Sequence, residues 1–259
     1  MKFSLRKFNL ARTPSVAHTL IPQQVDLSNL RTVISYCLYG KVEHYYQGLL
    51  ENCKQINKIY PDFWIYVYLG NDFNRNIING KFDECNNLVF IETGKGGHEV
   101  MSHRFLAIDR SEVGIMFSRD LDSFVNLRDQ YCINEFLKSD KHFQIIRDCE
   151  SHRTQILGGM WGIKKGLLPK SIESYFNDFK SQDTKFQYGT DQTFLQQIIY
   201  PLVSRNAIVF DEYFHYPGET PQKIIAPVIY FPDTKGYDYV GRCAMWGEKY
   251  EIKSDITKI

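Results

Sequence analysis

Asp120 and Asp122 stand one residue apart in Arg119-Asp120-Leu121-Asp122-Ser123, directly after an apolar run that begins at Val113. On an extended chain, side chains at i and i+2 point to the same side, so two carboxylates at this spacing can converge on one cation. Hard divalent ions take oxygen ligands. Mg2+ in particular is usually held by one or two carboxylates together with phosphate oxygens and water. Such an ion neutralises a diphosphate and stabilises it as a leaving group. Arg119 offers a further positive charge, or a partner for one of the two aspartates. The alternative is that one aspartate caps the helix that follows, since Asp is a favoured N-cap.

The elements that must position this pair read clearly in the first half of the chain. "TVISYCLYG" (residues 32–40) is β-branched and aromatic and ends on glycine, as a buried strand does before a loop. Tyr46, Leu49, Leu50, Cys53, Ile56 and Ile59 keep to one helical face, and Pro61 ends that helix. "FWIYVYLGND" and "NLVFIET" read as strands, "EVMSHRFLAIDRS" (residues 99–111) as a helix, and "VGIMFS" as a fourth strand. This alternation predicts an α/β fold with a central, mostly parallel sheet flanked by helices. Ligands of such sheets bind beyond the carboxyl ends of the strands, where Asp120 and Asp122 fall. Further on, "NLRDQYCINEFLKSD", "PKSIESYFNDFK" and "TDQTFLQQIIYPLV" read as helices, "HFQIIRD" and "AIVFDEYFHYPG" as strands, and "ILGGMWGIKKG" as a glycine-rich stretch with a tryptophan inside.

No repeat or long linker divides the chain. We therefore expect a polar lead-in over residues 1–30 and one domain over 31–259, in which the family resemblance named below implies a nucleotide-binding half at about 31–123 and an acceptor or sugar half at about 124–259. The chain has 259 residues, 43% hydrophobic and 24% charged, with a net charge of +1. A sizeable core follows from this composition, and no basic surface calls for nucleic acid. The six cysteines form no C-x-x-C pair and several sit in apolar segments, as reduced, buried thiols of a cytoplasmic protein do. The N-terminus lacks a continuous apolar stretch of the signal-peptide kind, and no apolar run approaches the roughly 20 residues of a membrane span.

An apolar strand running into D-x-D resembles the nucleophile motif of haloacid-dehalogenase-type phosphatases. However, Ser118 and Arg119 interrupt the junction, and the motif comes late in the α/β order. A longer stretch, from "SRDLDSFVN" through "HFQIIRD" and "LGGMWG" to "DQTFL", resembles a group of bacterial and viral glycosyltransferase-like proteins of the GT-A, Rossmann-like fold. The resemblance is specific over about residues 117–201 and reaches about 31–215 at the level of the fold. It implies transfer of a sugar from a nucleoside-diphosphate sugar, a UDP-sugar by preference, to a glycan or other hydroxyl acceptor, with Mn2+ or Mg2+ as cofactor.

By position, the resemblance makes Asp120 and Asp122 the metal and diphosphate ligands, with Arg119 beside them. It places Gly158, Gly159 and Trp161 in the sugar pocket, a tight turn with a core tryptophan being the alternative. Asp191 and Gln192 match a DQ pair that faces the donor sugar in retaining enzymes, and Asp191 is also the candidate base of an inverting one. Ser35 and Tyr39 fall where the base and ribose are met, Tyr39 being able to stack on uracil. Arg147 becomes a diphosphate or acceptor contact, or else a salt-bridge partner of Asp148. His215 becomes a third metal ligand. Near His152 this chain has Cys149-Glu150 where group members often carry a proline and a second histidine. "GKGGH" (residues 94–98) lacks phosphate-loop spacing and reads as a flexible loop. A catalytically inactive sugar- or nucleotide-binding module is the remaining alternative.

Overall fold

The computed structural model describes residues 19–40, 43–82, 85–181, 186–228, 230–231 and 236–243. The expected lead-in is therefore described only from residue 19; there the Gln23 N–H donates to the Gly166 carbonyl, 2.9 Å. Seven strands form one sheet in the order β3-β2-β1-β4-β6-β5-β7. They are β1 (Arg31–Leu38), β2 (Trp64–Leu69), β3 (Leu88–Glu92), β4 (Val113–Ser118), β5 (Phe143–Arg147), β6 (Trp161–Lys164) and β7 (Ala207–Asp211). All neighbouring pairs are parallel except those of β6, which runs antiparallel to both β4 and β5. Sequence periodicity left β6 as a glycine-rich stretch. Four residues with a glycine among them carry almost no pattern, and the strand exists because it fills the gap between β4 and β5.

Alternation along the strands feeds two cores. On one face, Ile34, Tyr36 and Leu38 of β1 pack with Leu49, Cys53 and Ile56 of α1 (Glu43–Ile59) and with Ile133 and Phe136 of α2 (Leu127–Lys138). On the other, Val33, Met116 and Ile145 pack with Phe176 and Phe179 of α3 (Ile172–Lys180) and with Phe194, Leu195, Ile199 and Val203. These last four residues lie on a rod that begins as α4 (Thr190–Phe194), passes through a π turn at Leu195–Ile199 and ends as α5 (Tyr200–Val203). Helices thus cover both faces, as a mostly parallel sheet requires. Among the described residues no helix is long and apolar enough to cross a membrane.

The segment expected as a helix over residues 99–111 is instead a run of 3-10 turns, Gly97–Asp109. Ser102 Oγ and His103 Nδ1 both bond the Glu99 carbonyl, at 2.9 and 3.0 Å. At the far end, the Asp109 carboxylate accepts the Ile172 and Glu173 N–H groups at the start of α3, at 2.8 and 2.9 Å. The segment is tied at both ends, and its middle carries Arg104 under the sheet's carboxyl edge.

Candidate active site

β2 and β3 lie on one side of β1 and β4 on the other, so the strand order reverses at the β1/β4 junction. The crevice at the carboxyl ends of these two strands is where an open α/β sheet takes its ligand. A cavity of about 410 Å3 opens there, lined by Cys37 and Tyr39 at the end of β1, Asp120 and Asp122 after β4, Arg104, Gly158, and Tyr188, Gly189, Asp191 and Gln192 at the head of α4.

The D-x-D stretch does not stay extended. It turns at Leu121-Asp122, and the Ser123 N–H donates to the Asp120 carbonyl at 3.3 Å. Leu121 is buried in the core, while Asp120 and Asp122 both line the cavity. The turn rests on α1. Asn52 Nδ2 donates to the carbonyls of Gly48 and Ser123, each at 3.0 Å, and Asn52 Oδ1 accepts the Val125 N–H at 3.3 Å. A Cβ at Gly48 would overlap the Leu121 carbonyl. Neither aspartate caps α2; Asn126 does, accepting the Asp129 N–H at 2.8 Å.

The floor of the cavity is charged. Arg104, a residue sequence reasoning passed over, donates from Nη1 to Asp120 Oδ1 at 2.5 Å and from Nη2 to Asp191 Oδ2 at 3.3 Å. Its only advance signal was a cation inside the apolar run "RFLAI". The opposite charges beside it hold its pKa above the ordinary arginine value, against burial. Burial raises the Asp191 carboxyl, with Arg104 opposing. Burial, then the charge of Asp120, raises Asp122. The Cys243 thiol donates to Asp122 Oδ2 at 3.4 Å. Among the described residues lining the cavity, one guanidinium faces three carboxylates, a net charge of −2 with all four ionised. No group of three or more His, Cys, Asp or Glu side chains is arranged to hold a metal among the described residues. The two carboxylates Asp120 and Asp122 are a donor set that fits an ion completing its shell with phosphate and water.

Gly158 and Gly159 close the inner wall. A Cβ at Gly158 would lie 2.6 Å from Arg104 Nη2 and 2.9 Å from Asp191 Oδ2, and one at Gly159 would overlap the Asp120 carboxylate. Their bareness makes room for the carboxylates themselves. The Gly158 carbonyl is held by Ser118 Oγ at 2.7 Å and Trp161 Nε1 at 3.1 Å.

Tyr39, Asp120, Asp122, Gly158, Asp191 and Gln192 thus meet in one cleft, with Gly159 directly behind Asp120. Asp191 is not the helix cap: Gly189, in the left-handed region at φ 85°, precedes the helix and Asp191 sits in its first turn. Five other residues singled out in the sequence do not line the cleft. Trp161 is wholly buried, stacked on Phe143 at 5.3 Å, and offers no face to a sugar. Arg119 turns inward and forms a two-pronged pair with Asp129 of α2, at 2.7 and 3.0 Å. It touches neither aspartate of the turn, because the strand's alternation points it beneath the sheet edge. Arg147 is wholly buried between Asp211, at 2.5 Å, and Glu219; Asp148 pairs with Arg128 instead, at 2.5 Å. Ser35 faces the interior of the sheet without exposure and does not line the cavity. His215 lies exposed in the loop after β7, outside the cavity lining.

His152 also lies outside the lining; burial lowers its pKa to about 4, and its ring meets Tyr239 edge-on. Cys37 and Cys243 line the cleft, and burial pushes both thiols up to about 11. The segment at 238–243 closes the outer wall. The Val240 N–H donates to Asp148 Oδ2 at 3.0 Å, Asn126 Nδ2 donates to the Tyr239 carbonyl at 3.2 Å, and Cys243 bridges to Ser123.

No protein-family model matches the sequence, and no curated protein matches it. Among solved structures, the chain is similar to a glycosyltransferase involved in glycosylation of the major capsid of PBCV-1, at 14% identity and TM-score 0.48, over 70% of this chain and 81% of that one. It is also similar to a 4-diphosphocytidyl-2C-methyl-D-erythritol synthase from Anaerococcus prevotii, at 10% identity and TM-score 0.46, over 71% and 88%. A third is the mannosyltransferase PcManGT from Pyrobaculum calidifontis, solved with GDP-Man and Mn2+, at 11% identity and TM-score 0.41, over 56% of this chain and 47% of that one. This chain thus spans about half the length of that mannosyltransferase. Likenesses of this degree carry no functional weight, and no family follows from them.

Proposed function

We propose that the protein is a metal-dependent glycosyltransferase that moves a sugar from a nucleoside-diphosphate sugar, a UDP-sugar by preference, to a hydroxyl acceptor. The observation that carries this reading is the charge of the cleft: three carboxylates against one guanidinium at the switch point of the sheet. An anionic diphosphate entering such a cleft meets net repulsion unless a divalent cation accompanies it. Mn2+ or Mg2+, bound by Asp120 and Asp122, would supply charge neutralisation of the departing diphosphate. Arg104 holds Asp120 and Asp191 in fixed relation, so the end of β4 and the head of α4 present one rigid floor. Tyr39, half-buried at the end of β1, gives the base an aromatic face. Gln192 lines the same wall as Asp191 and offers both donors and acceptors to sugar hydroxyls.

We favour retention of anomeric configuration. Asp191 is 5% exposed and paired to Arg104, which ill suits it to take a proton from an acceptor arriving through the open mouth. Proton NMR of the first-formed product reads the anomer directly.

The test is release of nucleoside diphosphate from a panel of nucleotide sugars with Mn2+. Turnover is expected for at least one donor, with a loss of about a hundredfold or more in Asp120→Asn and Asp122→Asn. Release of inorganic phosphate from phosphomonoesters without any nucleoside diphosphate would sink the proposal in favour of a phosphatase. Tight nucleotide binding with no turnover across the panel would favour an inactive binding module.

A further inference from the structure

Tyr188 is 80% exposed, yet it lines the cleft and stands three residues before Asp191, which is 5% exposed. The chain climbs from the charged floor to the open mouth over these residues, with Gly189 at φ 85° making the step. An aromatic ring bared on the lip of a polar cleft gains by being covered. Its orientation is fixed from one side: His98 packs edge-on to it, with ring centres 5.9 Å apart and planes at 74°. His98 is held in turn by Tyr39, whose Oη lies 3.4 Å from His98 Nδ1. The three rings come from the end of β1, the start of the 3-10 run Gly97–Asp109 and the approach to α4, so the lip is tied across the cleft while a face of Tyr188 stays open.

We infer that Tyr188, steadied by His98, is the platform on which the ring of a carbohydrate acceptor stacks. The inference rests on the transferase reading above. A diphosphate and its cation occupy the charged floor, and the sheet closes the cleft beneath them, so the second substrate enters through the mouth. The first bared ring it meets beside Asp191 is Tyr188. Sugar rings present a C–H face that packs on an aromatic plane, and a tyrosine keeps its hydroxyl free for the sugar's own. Cys149, Glu150 and His152 lie outside the cleft lining and do not enter this surface.

Ligand-observed NMR with methyl glycosides of glucose, galactose, mannose and N-acetylglucosamine tests the platform, using the full chain with UDP and Mn2+ present and absent. At least one glycoside is expected to bind the unaltered protein. Its affinity should fall about tenfold in Tyr188→Ala and return in Tyr188→Phe, while UDP affinity stays unchanged in both. Because Tyr188 is exposed, Tyr188→Ala is expected to keep the thermal midpoint of the parent, which is measured alongside. Failure of every glycoside to bind, equal binding by Tyr188→Ala, or loss of UDP binding in that variant overturns the platform. Absence of UDP binding in the unaltered protein, with glycoside binding that still depends on Tyr188, would instead overturn the donor reading and leave the platform standing.

Discussion

At the scale of single residues, the cleft is built at a cost to stability. Asp122 has its pKa raised by burial and by Asp120, which the charge of Arg104 only partly opposes. A carboxyl raised above its unfolded value favours the folded state in its protonated form. That contribution is fully present below the unfolded pKa and is lost as pH rises through the folded one, so ionised Asp122 opposes folding at neutral pH. Asp122→Asn is therefore expected to raise the thermal midpoint of the metal-free protein at pH 7 while removing the Mn2+-induced rise seen in the parent. The gain should vanish at low pH, where Asp122 is already neutral. Scanning calorimetry at pH 7 and at pH 3.5, with and without Mn2+, reads all of this; a lower midpoint at pH 7 would contradict the burial argument. In the parent, Mn2+ affinity should begin to fall at a higher pH than an ordinary carboxylate pair would give, because the ion needs Asp122 deprotonated. Arg119 and Arg147 show the opposite economy. Each is buried and answered by carboxylates on neighbouring elements, and such pairs hold a fold together without meeting a substrate.

At the scale of elements, the turn carrying the two aspartates takes its shape from a helix far away in sequence. Gly48 of α1 lies against the Leu121 carbonyl, and Asn52, one helical turn on, ties down the carbonyl of Ser123 and the N–H of Val125. In an exposed helix, glycine to alanine stabilises by about 1 kcal/mol. Here the sign reverses, because the methyl meets backbone that cannot swing aside. Gly48→Ala should cost about 1–3 kcal/mol in urea unfolding and weaken Mn2+ binding, whereas a Gly48→Ala protein as stable as the parent with unchanged affinity would show that the turn adapts freely.

What the sequence disclosed follows the same division. The β1 to β4 half, and the aspartates at its end, were legible because period-two and period-3.6 patterns are local. Asp191 and Gln192 were found through a resemblance of blocks, and they do line the cleft. β6 was missed because four residues hold too few periods, and the 3-10 run because side-chain bonds to the Glu99 carbonyl leave no mark on apolar spacing. Arg104 was missed because its two partners, 16 and 87 residues away, are fixed only by the closed fold. Trp161 and Arg119 misled for a related reason: residue type suggested a ligand contact, whereas the strand's alternation turned both inward.

At the scale of the whole molecule, the order of the sheet decides whether the nucleotide-binding half can stand alone. β4 ends that half, and one of its edges is covered only by β6, which arrives about 40 residues later and runs antiparallel. Met116 and Val33 pack against Phe194, Leu195 and Phe176, all from the second half. Cut after residue 123, the sheet would bare the β4 edge and one apolar face together, and exposed edges of that kind pair with other chains. Arg104 would also lose Asp191, leaving the floor of the cleft with one of its two clasps. We therefore expect residues 31–123 expressed alone to be insoluble or to give a collapsed amide NMR spectrum. The full chain should unfold in one urea transition that tyrosine and tryptophan fluorescence and far-ultraviolet circular dichroism report with the same midpoint. A dispersed spectrum from the fragment, or two separated midpoints from the full chain, would show instead that the first half is a domain in its own right and that β6 merely docks on it.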